Sequence, residues 1–222
     1  MKKERNKYSF DSHEYKLLNM KQDVIKICMN SYYGVSANPM FRLNDRDVGA
    51  AITSVGRAII DHNKKLVEGE GFKVIFGDTD SNGVKIPKSI GREGTMIVAK
   101  ELEKLLNDSY PIFAKEVLNA DVSYFSVKFE KLYQRFFSGG KKKRYAGLLV
   151  WKEGVDAHKI DIVGFETKRS DSPQVTRAAM EQLIGMILEG KPYKEIRTTI
   201  SEIVRKYRKG EYSLDEIGIP GG

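Results

Sequence analysis

Phe72-Lys73-Val74-Ile75-Phe76-Gly77-Asp78-Thr79-Asp80-Ser81-Asn82-Gly83-Val84-Lys85-Ile86-Pro87 reads as two short strands joined by a tight turn that carries two carboxylates. Phe72, Val74 and Phe76 alternate with Lys73 and Ile75, and Val84 and Ile86 alternate beyond the turn, the period of a half-buried hairpin. Gly77 to Ser81 form the tip. Asp78 and Asp80 are two residues apart, so on extended backbone they point the same way. Oxygen ligands on a rigid turn suit a hard cation such as magnesium, which keeps several waters and bridges to substrate phosphates. An Asp-rich surface hairpin is the plain alternative, because Asp and Ser favour turns through local hydrogen bonds.

The flanking segments read as helices and strands of an α+β chain. The first twelve residues are polar, a lead-in that is flexible or partner-dependent. From Glu14 to Gly34 the period is helical, with Gly34 as terminator. Leu17, Val24, Ile25, Cys28 and Tyr32 cluster on one side; Asn19, Gln22, Lys26, Asn30 and Tyr33 cluster on the other. An exposed face of amides, one lysine and one tyrosine is not that of an ordinary solvated helix, which shows more mixed charge. Asp45 to Glu68 forms a second helix, packed through Val48, Ile52, Val55, Ile59 and Leu66, and Arg92 to Leu106 a third. Tyr124 to Phe137, Lys141 to Trp151 and Ile160 to Phe165 read as strands. Ser172 before Pro173 predicts a capped helix start. Helices over 173–189 and 192–209 then make a small helical subdomain, its boundary near Arg169 to Ser172.

Composition narrows the class. With 222 residues, 41% hydrophobic and 31% charged, the chain is long enough to bury a core and is not a disordered tail. Thirty-eight Lys and Arg against 30 Asp and Glu leave +8, an excess that predicts attraction to polyanions. Cys28 is the only cysteine, which excludes an intrachain disulfide and a Cys-based zinc site; a small core residue is expected there. His13, His62 and His158 lack metal-ligand spacing. No apolar run is long enough to span a membrane and the start lacks a secretory signal, so an intracellular, cytoplasmic protein is expected.

Two further constellations carry chemistry. Lys26, Asn30 and Tyr33 stand at i, i+4 and i+7 and present a cation, an amide and an aromatic ring on one helix face. Such a lysine can hold a triphosphate as a point charge while the ring packs on a sugar or base; a polar face with a buried tyrosine is the alternative. In Lys141-Lys142-Lys143-Arg144-Tyr145, Lys143 and Tyr145 share a face if the segment is a strand. A cation beside an aromatic suits a phosphate backbone and its adjacent sugar or base. Solvated surface or a basic localisation signal is the competing reading.

Together these residues resemble family B DNA polymerases. Lys26 to Gly34 is similar to their K-x-x-x-N-S-x-Y-G fingers motif. Gly77-Asp78-Thr79-Asp80-Ser81 resembles the palm motif Y-G-D-T-D-S, with Phe76 in place of tyrosine, and Lys142-Lys143-Arg144-Tyr145 resembles the K-K-x-Y primer-duplex motif. Ile52-Thr53, Gly56-Arg57, Gly164-Phe165-Glu166 and Arg169-Ser170-Asp171 are weaker matches, and the order is the family order. The resemblance implies a fingers helix within 1–36, a palm on an antiparallel sheet over 37–170 and a partial helical thumb over 171–222. It implies that Asp80 and, more weakly, Asp78 bind catalytic Mg2+, and that Lys26, Asn30 and Tyr33 serve the deoxynucleoside triphosphate. It assigns Lys142, Lys143, Arg144 and Tyr145 to primer–template DNA. The implied reaction is in-line attack of a primer 3′ hydroxyl on the α-phosphate, assisted by two magnesium ions.

One family element has no counterpart. The motif D-x-x-S-L-Y-P-S, which supplies the second metal-binding aspartate, matches neither Asp11-Ser12-His13-Glu14 nor Asp121-Val122-Ser123-Tyr124. The expectation is therefore a polymerase subunit resembling the small subunit of a split archaeal family B enzyme. A larger subunit would bring the missing motif and the exonuclease region. A piece cut from a longer enzyme and a non-catalytic DNA-binding or scaffolding subunit are the alternatives.

Overall fold

The computed structural model describes residues 2–5, 7–9, 11–78, 80–140, 143–165, 167 and 171–219. They combine helices with two small antiparallel sheets, in two compact units, 1–126 and 127–222.

The first unit begins with a short helix, α1 (Lys2–Arg5), so the lead-in is partly structured. The Arg5 guanidinium lies 5.1 Å from the Tyr15 ring centre and donates to Asn19 Oδ1 at 2.8 Å. Helix α2 (His13–Ala37) starts where the Ser12 hydroxyl accepts from the Tyr15 amide. It runs past Gly34, which is not its terminator; Asn38 closes it by donating to the Gly34 carbonyl. A glycine ends a helix by taking the left-handed conformation itself; Gly34 stays helical, so the helix continues. Cys28 is exposed on α2, not in a core.

Helix α3 (Arg46–Gly69) is capped by the Asp45 carboxylate, which accepts from the Asp47 and Val48 amides. The Ser36 carbonyl receives the Asp45 amide at 2.9 Å and Asn44 Nδ2 at 3.0 Å, so the connection from α2 is fixed by hydrogen bonds. The face buried by α3 is only partly the expected one, since Val55, Ile59 and Leu66 are half-buried but lie at its edge. Asn63 and Val67 are buried while Val48 and Ile52 are exposed. The partner explains the shift: Tyr110 of α4 (Gly91–Leu118) is buried and donates to Asn63 Oδ1 at 3.1 Å. Leu102, Leu106, Phe113 and Ala114 complete the buried side of α4. Pro111 lies inside this helix, which therefore extends well beyond the expected end at Leu106. Phe113 and Ala114, buried after the proline, favour continuing the helix over breaking it.

Strands β1 (Lys73–Asp78) and β2 (Ser81–Lys85) form the expected hairpin, and a single 3-10 turn over Lys88–Ile90 leads into α4. The second unit holds the sheet of β3 (Lys131–Ser138), β4 (Tyr145–Lys152) and β5 (Val155–Val163), in chain order and antiparallel. Residues 124–130, expected to begin the first of these strands, lie before it, and Phe165 lies after the last. Helices α5 (Gln174–Glu189), α6 (Tyr193–Arg208) and α7 (Leu214–Ile217) follow. Pro173, not Ser172, occupies the cap of α5, with no side-chain hydrogen bond there, and Ser172 is buried. Ile184 and Leu188 of α5 share one core with Ala146, Leu148 and Ile162. Among the described residues no helix is long and apolar enough to cross a membrane.

Two predictions follow from these cores. Leu188→Ala should cost about 2–5 kcal/mol, because a fully enclosed leucine leaves a cavity, and a denaturant midpoint registers the loss. The His62 ring packs tilted against Phe113, 4.4 Å between centres, and its Nε2 sits 2.8 Å from Ser109 Oγ. Burial first, then nearby Lys65, holds its imidazole below the ordinary value of 6.5. Below that value the unfolded chain takes up a proton that the folded chain resists, so stability falls as pH drops through the unfolded value. The thermal midpoint should decline from about pH 7.5 to about pH 5.5, and His62→Gln should flatten that decline. An unchanged slope in the variant would remove His62 as its source.

Candidate active site and nucleic-acid interface

The carboxylate tip is a two-residue turn. Asp78 ends β1, Ser81 begins β2 and pairs with it, and residues 79 and 80 lie between. Thr79 lies outside the described residues. Asp80 stands in the turn and is exposed, whereas Asp78 is half-buried at the strand end. The extended-backbone alternation expected between the two aspartates therefore does not run through the tip. They share it by position on the turn.

Strand and helix fix this tip. The half-buried side chains Val74, Phe76 and Asp78 alternate with exposed Lys73, Ile75 and Gly77 along β1. Phe76 packs across Gly83 of the paired strand, where an added Cβ would stand 3.1 Å from its own. Asn82, next to the turn, donates from Nδ2 to the Ile60 carbonyl of α3 at 3.4 Å. The Ser81 hydroxyl lies 3.5 Å from the Asp78 carbonyl. Among the described residues no group of three His, Cys, Asp or Glu side chains is close enough to hold a metal. The local donor set is two hard carboxylates, a chemistry that fits magnesium with waters or substrate oxygens in the remaining positions.

Lys26, Asn30 and Tyr33 are all exposed on α2. The side opposite is open as well: Leu17, Val24, Ile25, Cys28 and Tyr32 are exposed, and Ser36 is the one residue of the described helix that is buried. Polar and apolar faces of α2 are thus both uncovered within this unit.

The basic segment is a connection and not the start of a strand. Lys142 lies outside the described residues, as do Lys141, Glu166, Arg169 and Ser170. Lys143 occupies a left-handed turn at φ 62°, is exposed, and precedes β4, which starts at Tyr145. Lys143 and Tyr145 therefore do not share a strand face. Arg144 and Tyr145 are half-buried, and the Gly139 amide donates to the Arg144 carbonyl at 2.8 Å, closing the loop. A second clamp comes from the chain beyond β5. Gly164 has φ 71°, and a Cβ there would fall onto the Lys143 carbonyl. No other residue type fits so close to that carbonyl at a positive φ.

Beside this loop lies an arrangement that sequence reasoning passed over. The Asp161 carboxylate of β5 accepts from Lys131 Nζ and from the Tyr133 hydroxyl, each at 2.7 Å. To reach it from β3, the Tyr133 ring lies across Gly147 of the central strand, where a Cβ would strike it. Burial first, then the Asp161 hydrogen bond and charge, pushes the Tyr133 hydroxyl far above the ordinary phenol range. The signal available was the run Tyr133-Gln134-Arg135-Phe136-Phe137 facing a strand with a central glycine.

Comparison with known proteins matches the chain to one family. The sequence model of DNA polymerase family B covers residues 1–217. DNA polymerase 2 of Aeropyrum pernix is 32% identical over 99% of this chain and 24% of its own length. DNA polymerase II of Escherichia coli is 31% identical over 81% of the chain and 23% of its own length. The family B DNA polymerase structure from Pyrobaculum calidifontis superposes with a TM-score of 0.60 at 28% identity, over 97% of this chain and 24% of that one. The chain thus spans about a quarter of the length of the relatives it matches. With a family match along almost its whole length and its motifs in the family order, the chain belongs to DNA polymerase family B.

Proposed function

We propose that these residues form the part of a DNA polymerase that presents one catalytic carboxylate cluster, grips primer–template DNA and lines the nucleotide pocket. The observation that carries this reading is the hairpin tip with Asp78 and Asp80, anchored to α3 in a chain of this family. Asp80, exposed in the turn, is the proposed magnesium ligand, and Asp78, half-buried beside it, the weaker participant. When bound, magnesium would neutralise the triphosphate and favour the primer hydroxyl as nucleophile. The chain's own residues act by placement. Lys26 offers the triphosphate a point charge from α2, and Asn30 and Tyr33 line the nascent base pair from the same helix. Lys143 and Tyr145 hold the primer end, with Lys142 and Arg144 along the duplex backbone. In this reading α2 belongs to the fingers, the body with its antiparallel strands to the palm, and α5 to α7 to the thumb.

The second aspartate, from D-x-x-S-L-Y-P-S, has no match in these 222 residues, so it must come from polypeptide outside them. We assign it to a larger subunit that also carries the exonuclease region. The open apolar side chains of α2 support a partner, because contiguous exposed apolar surface marks interfaces. Replication of cytoplasmic, nucleoid-associated DNA is the setting this chemistry implies.

Mixing the chain with a polypeptide that carries D-x-x-S-L-Y-P-S should give primer extension that neither part gives alone. Asp80→Ala should lower that extension about a thousandfold or more while leaving the complex intact, since positioning and charge neutralisation supply most phosphoryl-transfer catalysis. Extension by Asp80→Ala at the wild-type rate would leave the non-catalytic, DNA-binding role. Separately, Lys143→Ala should weaken binding of primer–template duplexes regardless of sequence and reduce the salt slope by about one. A slope equal to wild type would return Lys143 to plain solvated surface.

A further inference from the structure

We propose that Tyr133, held by Asp161 and Lys131, is a positioning residue that sets the Tyr145 ring for contact with the primer end. This rests on the reading that Tyr145 touches DNA, and adds residues that no polymerase motif described above contains.

The argument begins with strand register. Phe136 pairs with Gly147, Gly147 pairs with Asp161, and Tyr145 stands two residues before Gly147 on β4. Side chains alternate along a strand, so Tyr145 and Gly147 share one sheet face. The opposite face carries Ala146, Leu148 and Ile162, which are buried with Ile184 and Leu188. The Tyr145 face is therefore the one turned away from that core. On it the rings form a chain: Tyr133 to Phe136 at 5.7 Å between centres, then Phe136 to Tyr145 at 5.5 Å. Ring contacts at these distances restrict the rotamers of each member.

A ring chain restrains its last member only if its first cannot move, and here the first is fixed twice. Its hydroxyl donates to Asp161 Oδ2, and the same oxygen takes Lys131 Nζ, so the acceptor is itself held. Gly147 leaves the space that the ring occupies, where any Cβ would strike it. Tyr145 then meets its ligand with little rotamer freedom left to lose, which is how preorganisation increases affinity.

Binding of a primer–template duplex of arbitrary sequence to the 222-residue chain tests this. Tyr133→Phe keeps the ring and removes the hydroxyl; it should weaken binding about three- to tenfold with an unchanged salt slope, because no phosphate contact is lost. In a double-mutant cycle it should add nothing to Tyr145→Ala, a coupling that a merely structural role would not produce. Asp161→Asn, which still accepts from Tyr133, should bind nearly as wild type, whereas Asp161→Ala should match Tyr133→Phe. Thermal melts of each variant separate these effects from misfolding. Wild-type affinity for Tyr133→Phe, or additivity with Tyr145→Ala, overturns the positioning role while leaving the DNA reading intact. If neither Tyr145→Ala nor Lys143→Ala weakens binding, the DNA reading falls and the positioning role falls with it.

Discussion

A two-residue turn can present carboxylates at fixed points only if the strands behind it cannot slide, and α3 supplies that restraint. An isolated two-stranded hairpin is marginal in water. Here the Asn82 amide reaches the Ile60 carbonyl, and Gly77 lies against the same isoleucine. A one-residue slip would exchange the half-buried positions Phe76 and Asp78 with the exposed positions Ile75 and Gly77, so register and carboxylate placement are one constraint. Helix α3 is in turn held against α4 by the buried Asn63–Tyr110 hydrogen bond. The position of Asp80 thus depends on a polar pair at the centre of the unit's core.

The second unit solves a different problem with its three-stranded sheet. One face buries Ala146, Leu148 and Ile162 against α5, which stabilises the sheet. The other carries Tyr133, Phe136, Tyr145 and Asp161, an aromatic surface fixed by charge-assisted hydrogen bonds. Dividing the two tasks between faces lets polar groups stay on the sheet without entering the α5 core.

Much of this was legible from residue order. Alternation over Phe72 to Phe76 specified the hairpin, and Pro192 and Gly190 bracketed the last two long helices correctly. What escaped has physical reasons. Gly34 signalled a stop, but it keeps helical backbone angles instead of the left-handed ones, and the helix runs on to Ala37. The third helix was expected to end at Leu106, yet it runs through Pro111 to Leu118, because burial of Phe113 and Ala114 outweighs one lost backbone hydrogen bond. The apolar residues at 48 and 52 matched a helical period, but the stripe α3 buries follows Asn63 and Val67, because a buried amide can face a tyrosine hydroxyl. The basic run points to a strand because it follows Gly139-Gly140 and leads into the apolar Leu148–Trp151 stretch; the left-handed turn at Lys143, packed against Gly164 far away in the chain, leaves no local pattern. The Tyr133–Asp161 pair is equally non-local, joining strands separated by a third.

The approach of Gly164 to the Lys143 carbonyl ties two sites that are distant in sequence into one unit of inheritance. A methyl group at the later position would evict the earlier peptide, and the positive φ of 71° at Gly164 favours glycine in its own right. Because the contact is to a backbone carbonyl, the side chain at 143 can vary while the glycine at 164 cannot, a one-sided dependence that links the β3–β4 connection to the exit from β5.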